Sequence, residues 1–334
     1  MLDVSMVAWI ATVGGIAGLF AVDLFVSGRH AHVVEFREAV FWSVLYIGIA
    51  VLFGVGFGIV AGWDHGAEYF AGYVVEKSLS VDNLFVFVII MTTFAVPPEH
   101  QQRVLTFGII AALILRAIFI AIGAALIATF SVAFLLFGVL LIFTAVQLFR
   151  HRDEDPSVTD NPMVVAARRW LPFTDEYHER RLVVRVDGRR LLTPLALVFV
   201  AIGSTDVLFA LDSIPAVFGV TQEAYIVFVA NAFALLGLRA LYFLVSGLLD
   251  RLVYLSTGLA VILGFIGVKL VLHFAHEQSD AVPEVTTGQS LIFIAVVLTI
   301  TTAASVIKVR RDPTARAHAG SLRGHPPAEG DPGA

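Results

Sequence analysis

Two short segments place acids inside long apolar runs. EKSLSVDNLF, residues 76–85, holds Glu76, Lys77 and Asp82, and TDVLFALDSIP, residues 205–215, holds Asp206 and Asp212. An ionisable side chain at mid-membrane costs roughly 2.5–3.5 kcal/mol on insertion scales, so its presence there points to a task. Asn83 and Ser213 stand beside the two aspartates. Carboxylates, an amide and hydroxyls make an all-oxygen shell. Such a shell suits hard divalent cations, Mg²⁺, Ca²⁺ or Mn²⁺, over Zn²⁺ or Cu⁺, which favour Cys and His. The same carboxylates can carry protons when the metal is absent, which supplies a coupling ion without a further site.

The chain carries one more acid, Asp23, and four bases, Lys77, Arg116, Arg239 and Lys269, at similar depth. One alternative is that acids and bases simply pair, Arg116 and Arg239 each holding one aspartate and fixing helix register. Against it, buried ion pairs rarely stabilise better than apolar packing, and the acids cluster on two segments while the bases are scattered. The expected metal site is therefore Asp82, Asn83, Asp212, Asp206, Glu76, Ser213 and Asp23, with Arg116, Arg239, Lys77 and Lys269 as charge partners. Asp23 lies near the inner end of its apolar run, where it can also snorkel to water. Thr205 is either a ligand or a bonded helix hydroxyl, and Asn231 reads as helix-packing glue. Gly54, Gly56 and Gly58 read as a close-packing strip, since no lysine accompanies them as in a phosphate loop. Most histidines fall in loops or tails, and His273 and His276 read as interfacial. The sequence has no cysteine, which excludes disulfides, thiolate metal sites and thiol catalysis. No nucleophile–base pair or zinc-type ligand set stands out, so the chain reads as a non-enzyme without a prosthetic group. A carboxylate-only, Mn²⁺-dependent hydrolase is the weakest alternative.

These residues must be positioned by a membrane bundle. Of 334 residues, 58% are hydrophobic and 15% charged, where a soluble domain carries about a quarter charged; the mean hydropathy is +0.87. Apolar stretches long enough to cross a bilayer fall at 5–27, 39–61, 69–91, 103–125, 129–149, 193–217, 222–247, 252–274 and 288–308. This predicts an all-α bundle of nine spans. Arg29, Arg37, Arg103, Arg251, nine arginines in the loop 150–192 and the basic tail fall on alternate sides from the loops 62–68, 126–128, 218–221 and 275–287, which lack Lys and Arg. That asymmetry predicts an outer N-terminus and a cytoplasmic C-terminus. The first apolar run lacks the basic region of a signal peptide and reads as a retained helix. A membrane domain over 1–311 includes the loop 150–192, whose Asp187-Gly188 between VVRV and RRLL predicts a hairpin. Residues 312–334, rich in Pro, Gly, Ala and Arg, read as a disordered tail. The net charge of −5 gives no hint of nucleic acid.

Spans 3–5 and 6–8 resemble each other in order. Glu76 and Asp82 are matched by Asp206 and Asp212, LRAIF at 115–119 by LRALY at 238–242, and FTAVQL at 143–148 by FIGVKL at 265–270. A three-helix repeat is inverted in the membrane, so the two acidic segments approach the bilayer middle from opposite sides. A six-residue step rotates a side chain by about 240° on a helix, so Glu76 lies above Asn83, and Asp206 above Ser213, while the later aspartates take a neighbouring face. Either each helix offers two faces to the bundle, or it breaks near Pro215 or near Ser78 and Ser80, freeing carbonyls as ligands.

VVEKSLSVDNLFVF at 74–87 and TDVLFALDSIPAVFGVT at 205–221 closely resemble the two signature segments of the TerC integral membrane proteins, and NAFALLGLRALYF at 231–243 and GLAVILGFIGVKL at 258–270 resemble the helices that follow. The resemblance covers about residues 5–308. It implies cation export of bacterial type, chiefly of Mn²⁺, with a link to tellurium resistance and with relatives proposed to supply metal to secreted proteins. The family's acidic positions fall on Asp23, Glu76, Asp82, Asp206 and Asp212, with Asn83 beside Asp82. Another branch reads VELSD where this chain reads IGSTD, so Gly203 replaces a glutamate and can alter metal preference. The expectation is a Mn²⁺ exporter of the bacterial cytoplasmic membrane. The rival is a membrane scaffold or accessory factor of secretion or metal-stress resistance, with contacts to secretion machinery or to further copies of itself.

Overall fold

The computed structural model describes residues 4–28, 36–151, 161–174, 181–186, 189–245, 252–279 and 282–312. The chain is a helical membrane protein. In order run α1 (Met6–Gly28), α2 (Phe36–Ala61), α3 (Trp63–Thr93), α4 (Pro98–Thr129), α5 (Val132–Arg150), α6 (Pro162–Trp170), β1 (Val183–Val186), β2 (Arg189–Leu192), α7 (Pro194–Phe218), α8 (Ala224–Leu235), α9 (Leu238–Val245), α10 (Leu255–Gln278) and α11 (Thr287–Arg311). Seven of these, α1, α2, α4, α5, α7, α10 and α11, are long and apolar enough to cross a bilayer.

The other two expected spans show why hydropathy alone is incomplete. α3 runs unbroken for 31 residues, ample length for a crossing, but carries Glu76, Lys77 and Asp82 at its centre. The run 222–247 is divided. α8 ends at Leu235, Leu236 is extended, and Gly237 takes φ +77° before α9 begins. Of the two alternatives, two faces on an unbroken helix or a break at Pro215 or at Ser78 and Ser80, the structure shows the unbroken helices. α7 is continuous through Pro215, which cannot donate to the Leu211 carbonyl one turn back. Ser78 Oγ donates to Val74 O at 2.7 Å within the intact α3.

Proline at the first turn opens α4, α6 and α7, where its missing N–H costs nothing. Asn161 caps α6 by accepting from Met163 N, and Thr286 and Gln289 form a capping box on α11. The hairpin read from Asp187-Gly188 is present, with β1 and β2 antiparallel and Val183 opposite Leu192; the two turn residues and the tail 313–334 lie outside the described residues. So do Arg29, Arg251, Arg316 and Arg323, which bear on the expected orientation.

Packing is tightest where glycine replaces side chains. A Cβ on Gly138 of α5 would lie 2.8 Å from Gly267 O of α10, and one on Gly267 2.9 Å from Gly138 O, so these helices touch backbone to backbone. Gly54 and Gly58, one turn apart on α2, admit the rings of Tyr69 and Trp63, whereas Gly56 faces open space. The expected strip therefore reduces to the two glycines on one face. Buried apolar residues form two clusters. One joins α1, α2, α8, α9, the ends of α3 and α4 near Leu84 and Leu105, and the start of α7. The second joins α5, α10 and α11 to the Leu79, Ile120 and Ile214 stretches of α3, α4 and α7. Arg116 and Asp206 lie where α4 and α7 pass from one cluster to the other, and Glu76 stands on α3 between Val75 and Leu79 of the second.

Candidate cation site

Three helices deliver the buried charges. α4 packs along α7, and α3 packs against α7 and α8. Gly108 lets α4 approach α7 closely, since a Cβ there would meet Ile202 at 2.9 Å. Between them stands Arg116, 1% exposed. Its Nη1 pairs with Glu76 Oε1, and its Nε lies 3.8 Å from Asp206 Oδ1. The Asn83 amide satisfies both of its groups in one orientation only: nitrogen donating to Leu79 O at 3.0 Å, oxygen accepting from Arg116 Nη2 at 3.1 Å. Ser80 Oγ adds a long bond to Glu76 Oε1 at 3.4 Å. Asp212, partly exposed, is within electrostatic reach of the same guanidinium.

Glu76, Asn83 and Asp206 come together around Arg116, and Glu76 and Asn83 share the face that the seven-residue step assigned them. Three buried oxygens, Glu76 Oε2, Asp206 Oδ2 and Ser213 Oγ, have no hydrogen-bond partner among the described residues. Burying such groups unpaired is costly. The arrangement holds an excess of negative charge around one arginine, and that favours cations. Arg116 lies between the carboxylates, and among the described residues no three acidic or imidazole side chains converge as a formed metal site. The Asp82 side chain lies outside the described residues.

Asp23 belongs to a second centre. Arg239 Nη2 donates to Asp23 Oδ1 at 2.9 Å and to its backbone O at 3.0 Å, and Tyr46 O–H donates to Oδ1 at 2.7 Å. Asp23 shares none of these partners with the first cluster, and it is buried at 7% exposure. The snorkelling reading gives way to a buried carboxylate whose Oδ1 accepts from both Arg239 and Tyr46. Tyr46 was missed from sequence; its one signal is a hydroxyl-bearing ring amid the aliphatics of α2.

The remaining candidates disperse. Thr205 is a bonded helix hydroxyl, donating to Ala201 O at 2.7 Å. Asn231 is 1% exposed, with neither amide atom partnered among the described residues, so it does not act as hydrogen-bonding glue there. Lys77 Nζ donates to Ala234 O at 3.0 Å. Lys269 lies at the far end of the bundle, in a cavity of about 370 Å³ lined in part by Glu68, Thr221, His273 and Glu284. There His273 Nδ1 contacts Glu284 Oε1 at 3.0 Å and His276 Nδ1 contacts Val282 O at 2.7 Å, as end-of-span histidines.

The profile of the Integral membrane protein TerC family matches residues 61–313. The chain belongs to the TerC family. The matched stretch contains the whole Glu76–Arg116–Asp206 cluster, while Asp23 and Tyr46 precede it. An uncharacterized membrane protein of Mycobacterium tuberculosis is 48% identical over 320 residues, 92% of this chain and 80% of that protein. The chloroplast thylakoid membrane protein TERC of Arabidopsis thaliana is 45% identical over 230 residues, 69% of this chain and 60% of that one. A Salmonella typhi TerC relative, Alx, named as a proposed membrane-bound redox modulator, is 40% identical over 268 residues, 77% of this chain and 83% of the other. No solved structure matches.

Proposed function

We propose that this TerC-family chain exports divalent cations, Mn²⁺ foremost, from the bacterial cytoplasm by alternating access, with its N-terminus outside and its C-terminus in the cytoplasm. The observation that carries the reading is that Glu76 and Asp206, at matching positions of the two repeated segments, face one buried guanidinium and each keep an unbonded oxygen. Arg116 compensates the carboxylates when no cargo is bound. An arriving divalent ion takes over that role, with Glu76, Asp206, Asn83, Ser213, Asp82 and Asp212 as the oxygen set. Protons returning to the carboxylates couple the cycle. No chemical step and no prosthetic group enters the reading.

Contacts between the two halves support an inverted repeat of nine crossings. If α3, α4 and α5 match α7, α8–α9 and α10, the contact of α3 with α8 exchanges with that of α4 with α7, while α3–α7 and α5–α10 map onto themselves. The redox name of the Salmonella relative suggests another role, but a chain without cysteine cannot run one through thiols. A scaffold reading is favoured by one feature: Met163 and Trp170, seven residues apart on α6, are 60% and 79% exposed, an apolar face suited to a protein partner.

The test is Mn²⁺ flux in proteoliposomes for wild type and for Asp206→Asn, Glu76→Gln, Asp82→Asn and Asp212→Asn, with and without a pH gradient. Flux in the wild type that stops in folded Asp206→Asn and Glu76→Gln is expected, with the gradient setting its rate. A wild type that moves no Mn²⁺ sinks the transport reading. Loss of a co-purifying partner after Trp170→Asp would then favour the scaffold.

A further inference from the structure

The break between α8 and α9 holds a cation of its own. α8 stops at Leu235 near the centre of the bundle, Leu236 turns extended and Gly237 adopts φ +77°. A Cβ at Gly237 would lie 2.6 Å from Tyr46 Cδ2, so the turn is fixed both by its backbone and by the ring against it. The first copy reads ALILRAIF at 112–119, and no glycine stands there: Ile114 occupies the matching position, and α4 passes through it unbroken. Of the two copies, among the described residues, the second alone presents a helix C-terminus at this position, where the last carbonyls lack intrahelical donors and the helix dipole places negative charge.

Lys77 meets that end. It lies at the middle of α3, and Nζ donates to Ala234 O at 3.0 Å. Among the described residues this is its one hydrogen bond, and it has no ion-pair partner there. The neighbouring Glu76 turns instead to Arg116. A half-buried ammonium in an apolar bundle thus rests on backbone carbonyl, the kind of ligand that unwound helix ends offer to alkali ions in broken-helix transporters. Close approach of the two helices makes this contact short-ranged: a Cβ on Gly72 of α3 would be 3.4 Å from Ala230 Cβ of α8.

We infer that the C-terminal end of α8 is a monovalent-cation seat separate from the carboxylate cluster, and that the Lys77 ammonium is its tethered occupant. The seat takes a small hard monovalent cation, of the Na⁺ class, when the lysine is withdrawn. It does not depend on Mn²⁺ being the cargo.

The experiment is thermal unfolding of the purified full chain in lipid nanodiscs, for wild type, Lys77→Ala and Lys77→Gln, in NaCl, methylammonium chloride or choline chloride at equal ionic strength. Lys77→Ala should show a lowered midpoint in choline that Na⁺ and methylammonium both raise, while the wild type shows no such difference. Lys77→Gln keeps a polar side chain but is uncharged and one bond shorter, so it leaves the seat open and should also gain stability from Na⁺ over choline. Equal midpoints in all three salts, for either variant, overturn the proposal and leave Lys77 a structural tie. A midpoint for Lys77→Ala equal to the wild type in choline overturns it as well. Asp206→Asn, which ends the proposed Mn²⁺ flux, should leave the Na⁺ response of Lys77→Gln in place, so the two readings fail separately.

Discussion

Replacing Arg116 by alanine removes the one cation set between Glu76 and Asp206. These three residues are 1%, 0% and 2% exposed, so water cannot stand in for the lost charge. Breaking a buried ion pair on one side costs about 3–5 kcal/mol, and here two carboxylates lose their partner together with the Asn83 amide. In chelator the variant should therefore unfold at markedly lower temperature than wild type, read by the fluorescence of the four tryptophans. Mn²⁺ should then stabilise it, because a ligand at a hundredfold excess over its Kd contributes about 2.7 kcal/mol, more than half of a loss of this size. The wild type should gain less, since there the ion has to displace an arginine. The neutral triple variant Glu76→Gln, Arg116→Met, Asp206→Asn should regain most of the stability without metal and ignore Mn²⁺. An Arg116→Ala variant as stable as wild type in chelator, or one that Mn²⁺ leaves unmoved, refutes the reasoning.

Two further outcomes are expected. Arg239→Ala strips Asp23 of two hydrogen bonds and should slow Mn²⁺ flux while insertion, checked by membrane fractionation, persists; normal flux would remove Arg239 from the cycle. Gly203→Glu should fold to wild-type levels, because a Cβ there meets nothing within 4 Å. It adds a carboxylate one turn before Asp206, so the ratio of Mn²⁺ to Mg²⁺ binding should shift, and an unchanged ratio would show that the position does not reach the cargo.

The helical class and most of the spans were legible because membrane crossing imposes a simple length and composition rule. Glu76 and Asn83 were legible as one face because helical periodicity fixes which residues of a helix share a side. Pairing of Arg116 and Arg239 with an aspartate each was one of the alternatives read from sequence, but which acids they take was hidden. Nothing in the spacing says that Arg116 would take Glu76 and approach Asp206 while Arg239, at the matching position, would turn to Asp23. The difference traces to Gly237, where the first copy has Ile114; a single residue able to adopt φ +77° ends one helix and redirects the arginine that follows. Pro215 gave a louder signal for a break, but α7 runs on through it with one backbone donor, that to the Leu211 carbonyl, missing. Tyr46 was invisible because a tyrosine within an apolar span resembles any other aromatic until its hydroxyl finds a carboxylate.

The contact between Gly138 and Gly267 has a mechanical consequence. Two backbones that touch without side chains between them can swivel against each other, but they cannot be pushed nearer and gain nothing by separating. α5 and α10 would then act as the fulcrum of the molecule, and any motion of one half against the other becomes a rotation about that point. Glu76, Arg116 and Asp206 stand on three other helices, α3, α4 and α7, so a turn at the glycines reaches them only through the packing between helices. A residue as small as alanine at either glycine would shift the fulcrum and stiffen the swing without touching a single charged group.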